Sequence, residues 1–372
     1  MNWNYEQPVS IIFGNGRIKE LNEVIKKVGG SNGLLVIPEY FVKSGIADKI
    51  KELSDKTITA VFTDVSPNPD VTEVDKCADV IRKNNCDFVV AVGGGSIMDC
   101  AKAAATISTV DDTIRSYHGT GKSLPETHLP LIAVPTTSGT GSEVTCVAVL
   151  TDREFGKKAP VVCDNFFPDY GVIDPELTYS VPPSITASTG LDVLCHAIEG
   201  FWSKGHQPIC DACAVYASEL VFKYVLKAYY NPEDAEAREK MAEASVIAGL
   251  AFTLPKTTSS HACSFPLTNI YHIPHGEACA LTLDYFARIN KDAEGGRIQK
   301  FAKKLGFENV DKMADKIYEL KKEMGMKCDL KEYNLSDEQI DELVKISRHP
   351  NLLNNPVDIT DDMLYEMYNS MR

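Results

Sequence analysis

Residues 88–102 read Phe-Val-Val-Ala-Val-Gly-Gly-Gly-Ser-Ile-Met-Asp-Cys-Ala-Lys. Five apolar residues rich in valine run straight into three glycines, and an alanine-rich helical pattern follows at 97–108. An unbroken apolar run of that length suits a strand buried on both faces of a parallel sheet. The glycines let backbone approach a phosphate closely, and the helix that follows points its leading amides at the same place. Ser96 is expected to cap that helix. The spacing differs from G-x-G-x-x-G, so this is a diphosphate turn outside the usual dinucleotide fingerprint.

Outward from this turn the pattern repeats. Strands are expected at Ile11–Phe13, Leu34–Ile37, Thr59–Phe62, Phe88–Val92, Leu131–Val134 and Val144–Leu150, with helices near 41–54, 71–84 and 97–108. Alternation of this kind predicts an α/β domain with a parallel sheet. Gly14-Asn-Gly16 reads as a turn. Ser66-Pro-Asn-Pro69 and Pro135-Thr-Thr-Ser-Gly-Thr-Gly-Ser-Glu143 follow strand ends, where open α/β sheets gather ligands. From Pro183 onward strand signals vanish and helices are expected at 184–203, 208–229, 233–251, 277–290, 296–305, 310–325, 336–346 and 360–370. The division is therefore 1–182, an α/β nucleotide-binding domain, and 183–372, an all-helical domain.

The helical half opens on Gly190-Leu-Asp-Val-Leu-Cys-His-Ala-Ile-Glu-Gly200. Asp192 and His196, four apart, share one helix face and can hold a divalent ion from one side. Such a pair alone is more often a plain hydrogen bond. His261 and His275 stand in the chain's richest histidine cluster, SSHACSFPLTNIYHIPHGEACA. A carboxylate with three imidazoles suits Fe(II) or Zn(II).

Composition narrows the partners. With 52 acidic against 38 basic residues the formal charge is −14, which argues against nucleic acid and anionic membranes. No apolar run reaches the ~20 residues of a membrane span. No signal peptide is read at the N-terminus. Eleven cysteines, scattered singly, fit free thiols in the cytoplasm. The lone C-x-x-C at Cys210 and Cys213 opens a helix and reads as structural.

Taken in order, GGGSIMD, PTTSGTGSE, GLDVLCHAIEG and the His261/His275 pair resemble the iron-containing (group III) alcohol dehydrogenases. SPNP, IDPEL and AGLAF extend the likeness over nearly the whole chain. The resemblance implies the group III alcohol dehydrogenase (dehydroquinate synthase-like) fold, and NAD(P)-linked interconversion of aldehyde and alcohol in a cleft between the domains. It implies a divalent metal on Asp192, His196, His261 and His275: Fe(II), with Zn(II) or Mn(II) able to replace it. For the nucleotide it implies Gly94, Gly95 and Ser96 at the diphosphate and contacts from Thr136, Thr137 and Thr140. Asn68, Asp99 and Lys158 would lie near the nicotinamide, Asp99 and Lys158 being the candidates for a catalytic role. It also implies a homodimer paired through an edge strand at Tyr5–Phe13.

Three departures from the family pattern matter. Phe265 replaces a histidine that many members carry four residues after the first late ligand; His272, nearby, reads as structural. Pro38-Glu39 stands where NAD-preferring members often have Asp, and Glu39 would still repel a 2′-phosphate, so NAD is expected over NADP. Leu254-Pro-Lys-Thr-Thr-Ser-Ser260 replaces small residues before a metal ligand. Lys256, Thr257 and Ser260 there suggest an anionic aldehyde such as sulfoacetaldehyde or phosphonoacetaldehyde. The competing functions are a short-chain alcohol or diol dehydrogenase, a polyol dehydrogenase or cyclase of the same fold, and a non-catalytic NAD- or metal-binding protein.

Overall fold

The computed structural model describes residues 2–372. By its internal contacts the chain forms two compact units. One comprises residues 6–137 and 141–179; the other comprises 138–140 and 180–372, together with the N-terminal residues through Tyr5.

The first unit runs β1 (Ser10–Phe13), α1 (Leu21–Lys27), β2 (Gly33–Val36), α2 (Glu39–Lys43), α3 (Ile46–Leu53), β3 (Ile58–Phe62), α4 (Val71–Asn84), β4 (Phe88–Gly93), α5 (Gly95–Ile107), β5 (Leu131–Pro135), β6 (Val147–Asp152), β7 (Lys157–Val162) and β8 (Tyr170–Ile173). Six strands form one sheet in the order β1-β8-β5-β4-β2-β3. Each pairing in it is parallel. Every residue of β4 is buried, as its unbroken apolar run requires. The Phe88 ring lies so close to Gly30 and Gly33 that a Cβ on either would come within 2.5 Å of it.

Two expectations about strands are corrected. The segment near 144–150 is not in the parallel sheet: β6 starts at Val147 and pairs antiparallel with β7 in a separate hairpin. The second concerns β8, four residues flanked by Asp169 and Asp174-Pro175, which gave no strand signal of its own yet lies between β1 and β5. The pattern near 41–54 is two helices, broken where Gly45 takes φ +78°.

Helix α4 begins with a reciprocal capping box: the Asp70 carboxylate accepts from the Thr72 amide, and Glu73 reaches back to the Asp70 amide. This fixes the end of the 66–70 loop. The eleven cysteines are all free. No helix among the described residues is long and apolar enough to cross a membrane.

The second unit is helical: α6 (Pro183–Trp202), α7 (Pro208–Tyr230), α8 (Ala235–Phe252), α9 (Ser259–Tyr271), α10 (His275–Asn290), α11 (Arg297–Lys304), α12 (Val310–Glu323), α13 (Asp337–Ile346) and α14 (Asp361–Met371). Prolines at the start of α6 and α7 sit where a missing N–H costs nothing. Helix α6 is buried along most of its length and packs against α7, α8 and α10. Its polar residues therefore face protein rather than solvent. Helix α9 gives no periodic signal of its own, because Pro266 inside it weakens the pattern; a helix carrying His261 is expected only from the family resemblance.

Candidate active site

In the α/β unit, β4 delivers the chain into Gly94, which is extended and precedes α5. The leading amides of a helix have no partners within it, and no acidic side chain stands in this first turn to repel an anion. A Cβ on Gly94 would lie 3.3 Å from the Thr137 hydroxyl, so the glycine turn and the start of the threonine loop run side by side. The cap expected from Ser96 is absent. Ser96 is the second residue of α5, and its hydroxyl accepts from the Asn68 amide at 3.2 Å.

Asn68 adopts φ +56° and accepts from Lys158 Nζ at 2.8 Å. The structure thus joins Asn68, Ser96 and Lys158 into one group beside the glycine turn. Asp99 stands close enough to Lys158 to feel its charge. Its carboxylate accepts from the Ser142 hydroxyl at 2.8 Å and the Val149 amide at 2.9 Å, tying α5 to the base of the hairpin. Burial pushes the Asp99 carboxyl upward against the pull of Lys102. Lys102, fully buried, donates to the carbonyls of Thr145 and Val147, and burial brings its ammonium down to about 8. Thr136 is buried in the same unit, Thr140 belongs to the helical unit, and Glu39 starts α2 exposed, paired with Lys43 at 2.9 Å.

The helical unit holds the other cluster. Asp192, His261, His275 and Cys279 each offer one ligand atom, all within 4.8 Å of one another. His275 is the first residue of α10, and Cys279 lies one turn on, with Sγ 3.8 Å from His275 Nε2. His196 is outside that close set. Its ring stacks on Phe252 at 4.1 Å, its Nδ1 is 3.3 Å from the Gly139 carbonyl, and its centroid is 4.6 Å from that of His261. Burial, reinforced by His261, holds the His196 imidazole well below its ordinary value, in the neutral form that binds metals. For His261, burial opposes the charge, but Cys279 and Glu199 outweigh it and raise the imidazole.

These residues fit a divalent cation on their own evidence. Nε2 of His261 is buried with no hydrogen-bond partner and lies 3.7 Å from Asp192 Oδ1. A buried polar atom left so is costly unless something else meets it. Carboxylate, imidazole and thiol are the donor types that first-row metals take. Two members of the neighbourhood escaped the sequence reading: Cys279, four residues after His275, and Glu199, three after His196. Helical spacing was the available signal for both.

The segment before His261 is mostly engaged in structure. Lys256 is exposed, with φ +68°. The Thr257 hydroxyl accepts from Asn351 at 2.8 Å, and that of Ser259 donates to Asn355 at 3.0 Å. The Ser260 hydroxyl is buried without a hydrogen-bond partner. Phe265 packs between two imidazoles, 4.6 Å from His349 and 6.4 Å from His275. His272 is exposed, ending α9 in the left-handed region.

The sequence profile of iron-containing alcohol dehydrogenases matches residues 8–175, and that of the C-terminal domain of the Fe-containing alcohol dehydrogenase family matches residues 186–371. The chain belongs to the iron-containing alcohol dehydrogenase family. It is 36% identical to alcohol dehydrogenase 4 of Schizosaccharomyces pombe over 366 residues, covering 96% of this chain and 86% of that one. Among solved structures it is similar to the sulfoacetaldehyde reductase of Bifidobacterium kashiwanohense in complex with NAD+: 65% identity, TM-score 0.98, covering 100% of this chain and 99% of that one. A 1,3-propanediol oxidoreductase matches with 30% identity and TM-score 0.93 over 100% of both chains. The enzyme is thus an oxidoreductase of the alcohol dehydrogenase class.

Proposed function

We propose that this alcohol dehydrogenase reduces a small aldehyde carrying an anionic head group, of the sulfoacetaldehyde type, with NADH. The observation that carries the reading is the 65% identity, over 100% of the chain, to a sulfoacetaldehyde reductase bound to NAD+. The exposed Glu39 carboxylate at the start of α2 supports NAD over NADP, since it would repel a 2′-phosphate.

We assign the divalent ion, Fe(II) by family, to Asp192, His196, His261 and His275, with Cys279 beside them. When bound, the nicotinamide supplies the hydride and the ion the Lewis acidity that polarises a carbonyl. The chain's own share is positional. Gly94 and the amides that open α5 receive the diphosphate. Lys158, held by Asn68, brings positive charge to the same group of residues. Phe252 stacks on His196 and keeps its ring from turning. Lys256, unburied and able to reorient, is the cation we assign to the substrate's anionic group. The sheet-edge position of β1 supports pairing with a second copy of the chain.

The test is NADH consumption at 340 nm with sulfoacetaldehyde, phosphonoacetaldehyde, propanal and butanal, with and without Fe(II) or Zn(II). The expected result is kcat/KM at least tenfold higher for an anionic aldehyde than for propanal. Lys256→Ala should raise KM for the anionic aldehyde about tenfold, about 1.4 kcal/mol, and leave propanal unchanged. Equal turnover of propanal by the native enzyme would point to a general short-chain dehydrogenase instead.

A further inference from the structure

Helix α6 carries three polar side chains along one stripe: Asp192, His196 and Glu199, at spacings of four and three residues. The first two are in the ligand assignment above. Glu199 is 0% exposed, and a carboxylate is kept in such a place only when donors surround it. Here they do. Its Oε1 accepts from the Thr258 hydroxyl at 2.9 Å, the Ser260 amide at 2.6 Å and the His261 amide at 3.4 Å. Its Oε2 accepts from His261 Nδ1. The Trp202 indole donates to the Thr258 hydroxyl at 2.7 Å and so steadies the first of these donors.

One oxygen therefore caps α9 from a neighbouring helix, meeting leading amides that no residue of α9 can satisfy. The other oxygen grips the imidazole on that same turn. We propose that Glu199 is a positioning residue for the metal centre, holding His261 as the Nδ1–H tautomer so that Nε2 presents its lone pair to the ion. Two separate observations meet in this. Nδ1 has a carboxylate partner, while Nε2 is buried, has no hydrogen-bond partner and faces Asp192. An imidazole that donates from one nitrogen to a carboxylate is a better ligand through the other. The inference rests on the ligand assignment proposed above.

Glu199→Gln tests it sharply. The single oxygen of glutamine can still cap α9, but the amide nitrogen then faces Nδ1. Nδ1 must become the acceptor, the proton moves to Nε2, and the lone pair meant for the ion is lost. Metal-stripped protein would be titrated with Co(II) or Zn(II) against a chromophoric chelator. The native chain must first bind one ion per chain; if it does not, the ligand assignment fails before this inference is reached. The expected result is a 10- to 100-fold weaker ion affinity in Glu199→Gln, with an altered Co(II) absorption spectrum. NADH affinity should stay within twofold, and Glu199→Asp, which keeps the charge, should recover part of the loss. Thr258→Ala removes a donor to the same carboxylate without touching the imidazole. It should lower the melting temperature of the metal-free protein and leave ion affinity within threefold. Ion affinity of Glu199→Gln within twofold of native, or equal losses in Glu199→Gln and Thr258→Ala, would overturn the proposal. Should Glu199→Gln fail to fold, the Zn(II)-loaded native enzyme labelled with 15N-histidine decides: a protonated Nδ1 on His261 is expected, and a protonated Nε2 overturns it.

Discussion

Gly276→Ala is the substitution most sharply forecast by the geometry. Gly276 is the second residue of α10, next to His275, and it lies against α6. A Cβ there would stand 2.1 Å from the Ser188 carbonyl oxygen and 2.9 Å from Asp192 Cβ. Carbon and oxygen settle at about 3.3 Å or more, so the two helices must part by about 1 Å. The obstacle is backbone, which cannot swing aside as a side chain can. Glu277, whose amide bonds to the Ser188 hydroxyl at 3.2 Å, pulls the seam closed and opposes the shift. Propensity argues the other way, since alanine favours a helix interior by about 0.8–1 kcal/mol over glycine. Overpacking costs about 1–3 kcal/mol and outweighs it. The effect on the site is larger. Asp192 stands on one side of the seam and His275 on the other, whereas metal sites hold ligand distances to about 0.2 Å. We expect ion affinity to fall at least tenfold and kcat/KM about a hundredfold, with a lower melting temperature. Chelator competition, NADH turnover and calorimetry on the same preparation measure all three. Native ion affinity in Gly276→Ala, or a higher melting temperature, would refute the claim that the seam sets the ligand spacing.

Other perturbations have equally definite signs. Burial pushes the Glu143 carboxyl from 4.5 up to about 7. The folded protein keeps a proton there that the unfolded chain releases. Its contribution is therefore whole below 4.5 and is lost as pH rises through 7, about 3 kcal/mol in all. Glu143→Gln should raise stability to urea at pH 8 and change it little at pH 4.5. Asp99→Ala would remove the acceptor of the half-buried Val149 amide and of the Ser142 hydroxyl, costing about 2–4 kcal/mol in urea denaturation while ion binding stays native. Stripping the ion should lower the melting temperature, because an ion at a hundredfold its Kd adds about 2.7 kcal/mol. An unchanged melting temperature on chelation would count against any ion in the helical unit.

The sequence disclosed the parts whose signal is local. Residues 88–95 announced a buried strand and a glycine turn into a helix because an apolar run and three glycines are a pattern in themselves. That Asp192 and His196 share one helix was legible because helical spacing is fixed. What stayed hidden depends on partners far along the chain. β8 is too short to declare itself and is a strand only because β1 and β5 flank it. Ser96 read as a cap from its position, yet Asn68, twenty-eight residues earlier, claims its hydroxyl. Cys279 and Glu199 carry ordinary helix spacings, and only the packing of α9 and α10 against α6 gives those spacings a meaning. Pro266 hid α9 from the periodicity, leaving it to the family resemblance, since a proline inside a helix argues against one until packing overrules it.

The chain contains two tryptophans. Trp3 is 46% exposed, whereas Trp202 is 0% exposed and its indole is joined through Thr258 to the carboxylate that holds His261. One fluorophore is thus hydrogen-bonded toward the proposed ion site, and the other, exposed, serves as an internal reference. On the ligand assignment proposed above, the blue-shifted part of the protein's own emission is expected to change when the ion binds, a shift readable in a cuvette without any label.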